Sequence, residues 1–143
     1  MTDNEKFRYL EHTADAMFQA FGATLEEAFA NAALAVASLM WDPAKVSRDR
    51  NEAVRVEGND LEQLLMAFLE EILYLLDTKR FLLHRAAKVR IRPGRKGYEL
   101  DAVFVGDADT GRYEIFGDVK AITYNDMRIE AGGVPLVQVV VDM

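Results

Sequence analysis

The feature that most constrains the fold is the stretch from Asp60 to Asp77, DLEQLLMAFLEEILYLLD. Leu61, Leu64, Leu65, Phe68, Ile72, Leu75 and Leu76 recur at helical spacing, and Asp60 with Gln63 forms a reciprocal cap at the start. An apolar stripe that broad must face a sheet or another helix. Upstream, Thr24 and Glu27 make a second capping box, and Leu25, Ala28, Phe29, Ala32, Val36, Leu39 and Met40 keep the same period until Pro43, which should end the helix.

Strand-like spacing fills the rest. FRYL and MFQAF flank the polar segment EHTAD, and AVRVEG alternates between the two helices. FLLHRAAKVRIRP and YELDAVFV read as a hairpin around Gly94 to Gly97, and VKAITY and PLVQVVVDM follow the polar loop GDADTGR. The expectation is an α+β fold in a single domain: two helices packed on a mixed sheet of about six strands, in the order β-β-α-β-α-β-β-β-β.

Composition narrows the function. At 143 residues, with half of them hydrophobic and 29% charged, the chain suits one soluble domain. Without a cysteine it has no disulfide, thiolate zinc site or cysteine nucleophile. MTDNEKF lacks the apolar centre of a signal peptide, and no apolar run approaches the roughly 18 residues that span a bilayer, so a cytoplasmic chain without a membrane partner is expected. A net charge of -7 argues against wholesale binding to a nucleic acid backbone. The charge is uneven, however: Lys79, Arg80, Arg85, Lys88, Arg90, Arg92, Arg95 and Lys96 lie in a stretch without a single acid.

Two constellations can carry chemistry. In VVVDM, Val137, Val139 and Val141 face one way and Leu136, Val140 and Asp142 the other, which sets a carboxylate at the end of a buried strand. A cation, a basic side chain or solvent can each satisfy it. The chain stops at Met143, so further oxygens lie beside Asp142, and with Asp15 they suit Ca²⁺ or Mg²⁺ better than zinc. His12 is a candidate ligand or base but more ordinarily a main-chain hydrogen-bond partner, and Thr13 can cap the turn and orient Asp15. The second constellation is the basic strip, where Lys88, Arg90 and Arg92 alternate with Val89 and Ile91 and can track phosphates or meet an acidic protein; Lys120 is counted with them as a candidate contact. Alternating charge also solvates a strand, and no aromatic is interleaved for base stacking. GDADTG and AGG match no phosphate-binding loop, no serine elbow is present, and a metal-dependent hydrolase using Asp15 with His12 has few visible ligands.

Taken together, EHTAD, the following FQAFG with TLEEAFANAA, VKAITYNDM and the terminal VVVDM resemble the archease family, in the same order and spacing from Tyr9 to Met143. The resemblance implies a non-enzymatic cofactor of the RNA ligase of tRNA splicing, which promotes guanylylation of the ligase and its multiple turnover. It implies RNA contact only through the ligase and no small-molecule substrate of its own. It also implies a divalent cation, typically calcium, with Mg²⁺ or Mn²⁺ as alternatives, at a tip built from Asp15, Asp142 and an oxygen of Met143. The rival reading is an RNA-binding module using the strip 79–96. Two departures from the family pattern stand out: Glu11 where Asp is common, and Asn125 where His is common, which removes a proton shuttle. Leu136 and Val137 also stand where an aromatic is often found, a packing change.

Overall fold

Both helix caps form as their side chains dictate. Thr24 Oγ1 accepts from the Glu27 amide at 3.1 Å and Asp60 Oδ1 from the Gln63 amide at 2.8 Å. The return bonds reach one residue further upstream than the cap: Glu27 accepts from the Ala23 amide at 3.1 Å, and Gln63 from the Asn59 amide at 2.9 Å. The computed structural model describes residues 5–11, 15–109 and 111–143. In chain order the elements are β1 (Phe7–Leu10), β2 (Ala16–Phe21), α1 (Leu25–Ser38), β3 (Arg50–Gly58), α2 (Leu61–Lys79), β4 (Phe81–Gly94), β5 (Gly97–Ala108), β6 (Ala121–Glu130) and β7 (Leu136–Asp142). Helix α1 stops before Pro43, which instead opens a 3-10 turn, Pro43–Lys45, capped by Asp42.

The order matches the expectation, but the single mixed sheet does not form. The strands divide into a four-stranded sheet, β1-β2-β7-β6, and a three-stranded sheet, β3-β5-β4, and every neighbouring pair is antiparallel. The physical reason lies in β5. A strand–helix–strand unit such as β3-α2-β4 suggests a parallel pair, yet β5 turns back at Arg95 and Lys96 and inserts between its two strands. Gly94 and Gly97 close that two-residue turn, and Gly97 takes a φ of +136°, which a side chain would resist.

The helices lie between the sheets and touch both. Helix α1 packs on β2, β7 and β4, whereas α2 packs on β6, β3, β4 and β5. This explains why α1 buries more than one stripe. Ala33, Ala35 and Ala37 are buried as well as Phe29, Ala32 and Val36, because small residues let two neighbours approach the same helix. Phe29, Phe68 and Phe104 connect α1, α2 and β5 through ring pairs 6.0 and 5.5 Å apart.

Strand β7 has a hydrogen-bonded neighbour on each edge, and residues on both of its faces are buried. Val137, Val139 and Val141 point into the core with no exposure. On the opposite face Gln138 accepts from Gln19 Nε2 at 2.9 Å and donates to the Asp126 carbonyl at 2.8 Å, so a buried amide is satisfied by its neighbours. The Asp126 carbonyl comes from a bulge where β6 departs from the ladder between Thr123 and Arg128.

Candidate functional site

The register of β2 on β7 decides what meets at the end of the four-stranded sheet. Its last pair is Ala16 opposite Val141, so Asp15 and Asp142 are the next residues on adjacent antiparallel strands. Asp142 is exposed and pairs on its other side with Ala121 of β6, and its carbonyl accepts from the Lys120 amide at 2.7 Å. Exposed Glu11 follows β1 at the same end, because Leu10 pairs with Met17. The pairing therefore brings Asp15, Asp142 and the Lys120 backbone together, with Met143 following. His12 and Thr13 lie outside the described residues.

The donor chemistry fits a hard cation. Two carboxylates on adjacent strand ends, with main-chain oxygens beside them, suit Ca²⁺, Mg²⁺ or Mn²⁺. Among the described residues no three His, Cys, Asp or Glu side chains converge, so the remaining ligands would be a Met143 oxygen and water.

The basic strip looks different in three dimensions. Alternation holds from Lys88 to Arg92, with Val89 and Ile91 packed against the core, but β4 carries two bulges and Lys88 sits in the second with a φ of +54°. Arg92 is engaged rather than projecting: it donates to Glu99 at 2.9 Å and to Asp101, whose other oxygen accepts from Arg55 Nε at 2.8 Å. The bonds from Arg55 and then Arg92 hold the Asp101 carboxyl down at about 2. Lys79 pairs with Glu52 at 2.9 Å, Arg80 with Asp109 at 2.8 Å and Lys96 with Glu57 at 3.9 Å. Among the described residues, Arg85, Lys88, Arg90 and Arg95 are the members of the strip without an ion-pair partner. Lys120 is exposed but belongs to the Asp142 end, on the other sheet.

Asn125 lies in the exposed β6 bulge, its amide 3.3 Å from Thr123 Oγ1. His84 is structural, its Nδ1 donating to the Pro43 carbonyl at 2.8 Å.

One cluster was missed by reasoning from sequence. Asp107, only 6% exposed, accepts from the Tyr113 hydroxyl at 2.7 Å, from the Ala108 amide at 2.9 Å and from Arg112. The Tyr113 bond is the main cause holding its carboxyl below the usual carboxylate range. Beside it, Trp41, Asp42, Lys45, Arg112, Tyr113, Glu114 and Phe116 line a cavity of about 270 Å³. The sequence signal was present in GRYEIF, an aromatic-rich run inside a stretch that reads as a polar loop.

Fold and site together define a small two-helix α+β protein with an acidic strand-end tip. Residues 7–143 match the Archease protein family. The chain is 41% identical over 140 residues to Protein archease of Pyrobaculum neutrophilum, covering 96% of this chain and 95% of that protein. It is 44% identical over 126 residues to Protein archease of Thermococcus gammatolerans, covering 87% and 88% respectively. Its fold superposes on the solution structure of Methanobacterium thermoautotrophicum protein 1598 with a TM-score of 0.81 and 31% identity, over 96% of this chain and 98% of that one. The chain belongs to the archease family.

Proposed function

We propose that the protein is a non-enzymatic activator of the RNA ligase of tRNA splicing and RNA repair, acting in the cytoplasm through a cation-bearing acidic tip. The observation that carries this reading is the β2–β7 register, which sets Asp15 and Asp142 side by side at the ends of adjacent strands. Asp15, Asp142 and an oxygen of Met143 would hold the cation. When bound, it supplies positive charge that can screen phosphate oxygens near the ligase's guanylylation centre. The chain's own contribution is positional: the buried valines of β7 fix where Asp142 stands, and the Lys120 amide on its carbonyl fixes the strand end. RNA is reached only through the ligase, and no step of bond making belongs to this chain. No helix among the described residues is long and apolar enough to cross a membrane.

The test is guanylylation of the cognate ligase with GTP, with and without this protein. Asp15→Ala and Asp142→Ala should each abolish most of the stimulation. Full stimulation by both variants would sink the tip as the acting site.

A further inference from the structure

Residues 111–120 cross from β5 to β6 without regular structure, yet their backbone is held at several points. The Phe116 amide donates to the Met40 carbonyl at 2.9 Å, and the Tyr113 hydroxyl accepts from the Ser47 amide at 3.2 Å while donating to Asp107. Gly117 lies so close to α1 that a Cβ there would stand 2.1 Å from the Leu39 carbonyl. A segment pinned in this way nevertheless presents two adjacent apolar side chains to solvent: Ile115 is 40% exposed and Phe116 59%. Isolated exposed apolar residues are ordinary. A consecutive pair on a fixed backbone, with Phe116 forming one wall of the 270 Å³ cavity, is a preformed aromatic anchor that loses little freedom when it is covered.

Its position is set by α1. Asn31 donates to the Phe21 carbonyl at 2.7 Å, and Tyr9 donates to the Ala35 carbonyl at 2.8 Å, so α1 runs back along β2 toward the Asp15 end. Leu39 and Met40, which follow its C-terminus, and with them Phe116, therefore lie at the same end of the molecule as Asp142. Four residues later Lys120 bonds to the Asp142 carbonyl. Around the anchor Asp42, Glu114 and Asp118 are exposed, against one exposed cation on the cavity, Lys45, while the charge of Arg112 is met by Asp107.

We propose that Ile115 and Phe116, with the adjoining cavity, are the affinity-bearing contact with the ligase: an apolar anchor with a predominantly acidic rim that seats in an apolar recess with a Lys- and Arg-rich rim beside the cleft the tip enters. This rests on the reading of the tip given above. Binding would come mainly from the anchor and activation from the aspartates, so the two functions separate by mutation.

The experiment measures affinity for the cognate ligase by calorimetry and stimulation of guanylylation on the same variants of the full chain. Phe116→Glu should weaken binding about thirtyfold, the scale of a hot-spot residue. Phe116→Tyr should bind like wild type, and Glu114→Lys with Asp118→Lys should slow association severalfold at low salt. Asp142→Asn should keep the affinity within about threefold yet lose stimulation, since its side chain lies at the strand end rather than in the anchor. Because Phe116 is exposed, circular dichroism should show all variants folded. Wild-type affinity for Phe116→Glu, in a system where wild type activates and Asp142→Asn does not, overturns the contact and spares the tip. Dimerisation that Phe116→Glu abolishes, with ligase affinity unchanged, overturns it in favour of a second copy of the chain. No binding or stimulation by wild type overturns contact and tip together.

Discussion

The acidic end of the four-stranded sheet and the basic strip of β4 hold opposite charges in opposite circumstances. In the strip, half of the cations, Lys79, Arg80, Arg92 and Lys96, are met by acids from elsewhere in the chain. Arg92 faces Glu99 and Asp101, and Arg55 shares Asp101 from the other side. At the tip, carboxylates about as far apart as the chain allows become neighbours through one strand pairing. Charge counted along the chain is therefore a poor guide to charge available to a partner. Cross-strand register decides which groups neutralise one another and which accumulate.

The largest expected effect separates the two regions in ligase activation. Asp15→Lys or Asp142→Lys should reduce stimulated guanylylation by about a hundredfold, at or beyond the tenfold to hundredfold cost of disturbing groups around a metal. Lys88→Glu with Arg90→Glu, on the other sheet, should change it by less than about twofold. Equal losses from both sets would erase the distinction.

Next comes cation binding read as stability. At a hundredfold excess of Ca²⁺ over its dissociation constant, a single site adds about 2.7 kcal/mol, or several degrees in melting temperature for a chain of this size. Thermal unfolding with and without Ca²⁺ should show that rise in wild type and in the strip variant. It should be absent in Asp142→Asn, and a chelator should return wild type to the level of that variant. A calcium-induced rise that survives in Asp142→Asn would place the cation elsewhere.

These two regions also show what could be read in advance. The capping residues Thr24 and Asp60, the apolar period of α2 and the alternation in VVVDM are local signals, and the elements they predict appear in the predicted order. The place of Asp142 at the end of a buried strand was legible because strand parity is local, whereas its position beside Asp15 depends on the β2–β7 register. The division into two antiparallel sheets was not legible, because it depends on β5 inserting between β3 and β4, a long-range choice that neither strand encodes alone. The pairing of Arg92 with Glu99 and Asp101 follows from the β4–β5 hairpin itself, whereas the bond from Arg55 to the same Asp101 depends on that long-range choice. Ala33, Ala35 and Ala37 carry too little hydrophobicity to betray a second buried face on α1, although their small size is what admits a sheet on each side. Asp107 escaped notice because a buried carboxylate in a polar-looking run gives no periodic signal.

A smaller effect probes how far the pairing of Arg92 weakens the strip as a phosphate-binding surface. Asp101→Asn should release Arg55 and Arg92 from their shared carboxylate. For a single-stranded RNA, each cation that then reaches a phosphate steepens the dependence of log affinity on log salt by about 0.7. Titration at several low salt concentrations should give no measurable binding, or a shallow slope, for wild type, and a slope steeper by one to two such increments for the variant. A steep slope already in wild type would restore the strip as an RNA surface.

The smallest effect is the pH dependence that the same carboxylate lends to stability. Asp101 is held at about 2 when folded, by its bonds to Arg55 and then Arg92, whereas an unperturbed aspartate titrates at about 3.9. The folded state thus holds fewer protons at this group than the unfolded state in the interval between. The stabilising contribution is present above about pH 4 and is lost as pH falls through the interval toward 2. Melting temperatures of wild type and Asp101→Asn should differ by a constant amount from pH 7 to pH 5 and then converge toward pH 2. Other acid-sensitive groups, including Asp107 and Asp109, lower both proteins alike, so the difference between the two curves isolates Asp101. A difference that stays flat down to pH 2 would mean that the Arg55–Asp101–Arg92 cluster is too well solvated to set the strip's charge, and the contrast with the tip would then rest on geometry alone.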